Sequence, residues 1–142
     1  MTYAAQTARY VENDVLTRSP EWIVPLLYDH LLSSLRRAVV QIEAKDLDGR
    51  AESLGKASAI VGELLGSLDR ENGGEIAEGL ASLYTYFALE LLNVGRSREI
   101  GALPSLIEMV EELHTAWVTA AQAVAPRPTQ RPTQPALAAS AA

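Results

Sequence analysis

Two side chains stand at a spacing that could do chemistry: Glu111 and His114, in the run Glu111-Glu112-Leu113-His114. On a helix, residues three apart share a face. A Glu-x-x-His pair from each of two helices, with two further inward carboxylates, builds the di-iron centre of carboxylate bundles. This chain cannot complete such a centre, because its one other histidine is His30 and Leu27 stands three residues before it. His114 is therefore expected to be solvated or to cap a neighbouring group rather than to ligate a metal. Nucleophilic catalysis is no better supplied: there is no cysteine, and a Ser-His-acid set would have to be assembled from unmarked residues. No Gly-x-Gly-x-x-Gly or Walker-type loop occurs. The expectation is a protein that is not an enzyme and holds no cofactor and no metal.

Charge bears on partners. Twelve Lys and Arg oppose eighteen Asp and Glu for a net charge of −6, and two of the twelve, Arg127 and Arg131, lie beyond Ala125. Phosphate backbones demand clustered cations, so nucleic acid is not expected as a partner. The absence of cysteine suits a reducing compartment. Residues 1–13 lack the basic cap and apolar run of a secretory signal. The most apolar stretch, residues 79–95, is interrupted by Glu90 and falls short of the roughly 20 residues a membrane span needs. A cytosolic protein without membrane insertion is expected.

Any functional side chain needs an element to hold it, and the apolar spacing supplies four. At 142 residues, 48% hydrophobic and only 6% aromatic, the chain suits one helical domain built on Leu, Ala and Val. A first helix is expected from about Ser19 to Ala44, with Ser19 as N-cap, Pro20 at the first helical position, and Ile23, Leu27, Leu31, Leu35, Ala38 and Ile42 as its stripe. Pro25 should kink its first turns or delay the regular helix. After a connector at 46–49, Leu54, Ala57, Val61, Leu64 and Leu68 mark a second helix. The Gly73-Gly74 pair breaks the chain before Ile76, Leu80, Leu83, Phe87, Leu91 and Val94 mark a third. Leu103, Ile107, Val110, Leu113, Trp117, Ala121 and Val124 mark a fourth that ends near Ala125, its first turn left open by Gly101 and Pro104. Short connections make consecutive helices antiparallel neighbours, so the fold expected is all-α, an up-down-up-down four-helix bundle over 19–125. It is flanked by a flexible leader, 1–18, and a disordered Pro-rich tail, 126–142, for which a ligand of an aromatic groove is the alternative role.

Two faces of this bundle carry more than its core requires. On the third helix, Leu89 and Leu92 fall outside the arc of Ile76, Leu80, Leu83, Tyr84, Phe87, Leu91 and Val94, with Thr85 between them and Tyr86 to one side. A soluble helix normally shows a polar back. On the second helix, Gly55, Ala59, Gly62 and Gly66 form a ridge without side chains far from its seam. Each interior glycine costs about 0.8–1 kcal/mol relative to alanine unless close backbone approach repays it. Together they suggest a groove for an amphipathic partner helix. Scattered exposed apolar residues or a homodimer patch is the plainer alternative for the first face, and tolerated glycines for the second.

The segment from Tyr10 to Pro20, with Tyr10, Asn13, Val15, Thr17, Ser19 and Pro20 at a Tyr-x-x-Asn-x-Val-x-Thr-x-Ser-Pro spacing, resembles the leader of the flagellar export chaperones, the FliS family. The resemblance continues through Leu27-Tyr28-Asp29, Ala59-Ile60-Val61-Gly62-Glu63-Leu64, Leu68-Asp69, Gly74-Glu75-Ile76-Ala77, Leu83-Tyr84 with Tyr86, and Glu112-Leu113-His114 with Trp117. The chain departs from the family pattern at Pro25, at Ala88 and Leu89, where a basic residue is frequent, and in its longer Pro-rich tail. The resemblance implies a cytosolic chaperone that binds the C-terminal region of flagellin, stops it polymerising early and delivers it to the export gate, with the leader around Tyr10 covering apolar surface until the client displaces it. The expected partner-contacting set is Tyr10, Gly55, Ala59, Ile60, Gly62, Gly66, Tyr86, Leu89 and Leu92. A self-associating helical scaffold and a metal-binding bundle are the rival readings.

Overall fold

The computed structural model describes residues 20–124. The chain enters through a 3-10 turn, Pro20–Trp22, and continues as α1 (Ile23–Glu43), α2 (Leu47–Gly66), α3 (Arg70–Ser97) and α4 (Leu103–Val124). It is an all-α four-helix bundle. Ser19, expected as the first cap, lies outside the described residues, and the position before α1 is Trp22, which makes no side-chain capping bond. Pro25 explains the late start. It falls in the first turn of α1, where its missing N–H has no intrahelical partner to lose, so the regular helix begins only at Ile23.

The connections follow from local chemistry. Lys45 takes the left-handed conformation (φ 59°) after α1, and Asp46 then caps α2 by accepting from the Gly49 N–H at 3.0 Å. Gly49 lets the Asp46 carboxylate and the Gln41 amide lie close to the backbone, and a Cβ there would push those side-chain ends aside. Asp69 caps α3 in the same way, accepting from the Asn72 N–H at 3.1 Å. The expected break at Gly73-Gly74 is present but internal: residues 70–73 already form a helical turn, and Gly74 (φ 57°, ψ −137°) separates it from the main body of α3. Only glycine adopts that backbone readily. α3 ends on Arg98 in the left-handed conformation (φ 62°), whose N–H donates to the Val94 carbonyl at 3.0 Å. Pro104 then sits in the first turn of α4, where it is harmless.

Cross-links set the directions. Ser53 at the start of α2 bonds Gln41 near the end of α1 at 2.7 Å, and Arg50 Nη1 donates to the Gly95 carbonyl near the end of α3 at 3.3 Å. His114 pairs with Asp29 at 2.7 Å and Glu111 with Arg36, so α4 runs antiparallel to α1. α1 packs against α2 and α4, and α2 also against α3, whereas α3 and α4 approach each other at few positions. The core is built from Leu31 and Leu35 of α1, Ala57, Val61 and Leu64 of α2, Phe87 and Leu91 of α3, and Leu106 and Val110 of α4. Across its centre the Tyr28 and Tyr84 hydroxyls lie 2.7 Å apart, tying the diagonal helices α1 and α3.

Two expected core positions are not in the core: Val124, the last residue of α4, is 70% exposed, and Ile76, placed on the α3 stripe by its spacing, is 76% exposed. It lies two residues beyond the Gly74 break, where α3 has only just resumed.

Candidate functional site

The candidate site is a surface, and its geometry begins with α2. Leu54, Ala57, Val61 and Leu64 turn inward. At about 100° per residue, Gly55, Ala59, Gly62 and Gly66 then fall within an arc of about 60° on the opposite side. All four are exposed, and a Cβ added at Gly55, Gly62 or Gly66 would meet nothing within 4 Å. The ridge is open. Ile60, expected among the contacts, is not part of it: at 4% exposure it belongs to the core, because it lies about 100° from Ala59 and faces inward beside Ala57 and Leu64.

On α3, Phe87 and Leu91 mark the inner face, and Leu89 projects nearly opposite. Leu89 is 56% and Leu92 51% exposed. Gly95, the acceptor for Arg50, marks the flank of α3 that meets α2. Ala88 and Leu92, respectively seven and three residues before it, lie on that flank. The matching row on α2, at steps of four from Arg50, is Leu54, Ser58 and Gly62, which climbs from the seam to the ridge. The antiparallel register fixed by Arg50 and Gly95 puts Gly55 and Ser58 in the same layer as Ala88 and Leu92. The outer face of this α2–α3 seam is thus smooth on the α2 side and apolar on the α3 side.

Tyr86 is exposed but turns to the other flank of α3, its ring 6.2 Å from that of Phe87. Gly55, Ala59, Gly62 and Gly66 thus share the exposed ridge of α2, Leu89 and Leu92 are exposed on α3, and Tyr86 stands on the other flank of that helix. Tyr10 lies outside the described residues.

A second apolar region escaped the sequence reading. Leu80 and Leu83 of α3, with Met109, Leu113 and Trp117 of α4, are only partly buried along the sparse α3–α4 seam. Apolar spacing assigns most of them to the core stripes, and nothing in that spacing reports how far apart two helices will stand. Trp117 stacks its edge toward Tyr28 (ring centroids 6.5 Å, interplanar angle 48°).

The side chains first considered for metal chemistry have other occupations. Glu111 and His114 both reach across to α1, Glu111 to Arg36 and His114 to Asp29. They serve as two interhelical ties, and among the described residues no group of three His, Cys, Asp or Glu is gathered as a metal site would require. Among the same residues no helix is long and apolar enough to cross a membrane.

Comparison with known proteins agrees in kind. The family model described as Flagellar protein FliS matches residues 1–124. The chain is 33% identical over 108 residues, 75% of its length and 80% of the relative's, to the flagellar secretion chaperone FliS of Salmonella typhimurium. It is 32% identical to that of Campylobacter jejuni over 110 residues, 76% and 84% of the two chains. With the Escherichia coli protein of the same name the figure is 31% over 108 residues, 75% and 79% of the two chains. These relatives are named as chaperones and not as enzymes. This four-helix bundle, matched by the family model through to the end of α4, therefore belongs to the FliS family of flagellar secretion chaperones.

Proposed function

We propose that this protein is a cytosolic export chaperone that binds the C-terminal segment of flagellin, prevents its premature polymerisation and supports its delivery to the flagellar export gate. The observation that carries the reading is the exposure of Leu89 and Leu92 beside the side-chain-free ridge of α2. An amphipathic client helix laid there covers the leucines and gains close approach to the glycines. A client segment that is disordered when free and helical when bound loses part of the gross interaction energy to ordering, so the complex stays reversible, as release at an export gate requires.

Calorimetry with a peptide of the flagellin C-terminal region tests this, together with light scattering. A one-to-one complex is expected, whereas a self-associating scaffold would grow without client. Completing the burial of Leu92 is worth about 1 kcal/mol, so Leu92→Glu should weaken binding by at least about fivefold. Gly62→Leu, which has open space around it, should weaken binding while the bundle stays folded. Unchanged affinity in both folded variants would show that the client lies elsewhere.

A further inference from the structure

Basic side chains that reach between elements of this bundle meet acids on one side only. On the α1–α4 side Arg36 meets Glu111 and His114 meets Asp29, and within α3 Arg70 approaches Glu78. On the α1–α2 side Arg37 has only the Ser33 hydroxyl of its own helix, at 3.5 Å. Lys56 is half-buried, and no carboxylate of the described residues lies within ion-pair reach of either cation. The Gln41–Ser53 bond fixes the register of this seam. Arg37 lies one turn before Gln41 and Lys56 one turn after Ser53, so the two cations fall in one layer. Partial burial, and then the Arg37 charge, hold the Lys56 amine below its ordinary value. Among the described residues no acid pairs with either of these facing cations, and like charges held close repel each other.

We propose that Arg37 and Lys56 form a docking point for a carboxylate of the client segment that lies along the α2 ridge. This rests on the chaperone reading above. Lys56 follows Gly55 directly, so its flank borders the ridge, and a helix on that ridge can present one acidic side chain to both cations. Glu52 and Glu63 are exposed nearby on the same flank, which disfavours a polyanion and leaves room for a single carboxylate. The bound acid would relieve the repulsion that the free protein bears, so this pair serves recognition at the expense of stability.

The test is calorimetry with the flagellin C-terminal peptide at low and high salt, beside melting curves of the free proteins, for wild type, Arg37→Gln, Lys56→Met and Lys56→Glu. Each neutralisation should weaken binding by about two- to fivefold and flatten its salt dependence. The free Arg37→Gln and Lys56→Met variants should melt no lower than wild type, whereas Lys56→Glu, which meets Glu52 one turn before it, serves as the charge reversal in the binding series. Wild-type affinity and salt slope in all three variants would overturn the docking point and leave the chaperone reading standing. Weaker binding accompanied by a lower melting temperature in Arg37→Gln or Lys56→Met would overturn it too, by showing a structural role. Failure of the wild-type chain to bind at any salt would overturn both.

Discussion

At the scale of single residues, the most consequential interaction is the Tyr28–Tyr84 bond. Both phenols are buried, and burial raises both above their ordinary value, so the pair stays neutral and hydrogen-bonded at any working pH. The two hydroxyls are hydrogen-bonded to each other. Replacing one partner leaves a buried hydroxyl unsatisfied, at about 1–3 kcal/mol, while replacing both with shapes that fit is milder. Tyr28→Phe and Tyr84→Phe should therefore each destabilise the fold, and the double variant should lose less than the sum of the singles. Urea unfolding of the four proteins measures this. Additive losses would show that the hydroxyls do not depend on each other.

At the scale of elements, α3 is the helix with the most demands on it. It supplies core through Phe87 and Leu91, exposed surface through Leu89 and Leu92, and a break at Gly74 that leaves its first turn held chiefly by Asp69. The Asn72 side chain, at 2.8 Å, and then its backbone N–H lower the Asp69 pKa below its ordinary 3.8. A depressed folded-state value means that the contribution is complete above the unfolded value and is lost as pH falls through the folded one. Asp69→Ala should therefore melt below wild type near neutral pH, and the gap should narrow as the pH drops below about 4. A gap independent of pH would assign the loss to something other than the charged cap.

At the scale of the whole molecule, the bundle is firmly packed on three seams and sparse on the fourth, between α3 and α4. The chain enters beside this region, because the Pro20–Trp22 turn contacts both α1 and α4 and Trp22 is buried. Leu80, Leu83, Leu113 and Trp117 are left partly accessible there. Under the proposed function, the segment before Pro20 would cover apolar surface until the client displaces it. Deleting residues 1–14 should then change client affinity while circular dichroism still shows a folded bundle. Loss of helicity in that variant would make the leader a structural part instead.

The sequence by itself determined the class of fold, because apolar steps of three and four demand helices and short connectors demand antiparallel neighbours. It also determined that the α2 ridge and Leu89 lie away from the core, since a helix's faces follow from its period alone. Ile60 and Ile76 show where that period ceases to decide. Ile60 lies at the edge of its stripe and is buried in the core, while Ile76 lies on its stripe and is left out because Gly74 interrupts the helix just before it. Which flanks meet is a matter of packing between helices. The sparse seam between α3 and α4 and the facing cations Arg37 and Lys56 depend on the distance and register between helices, which are set by the sum of core contacts and not by any one segment.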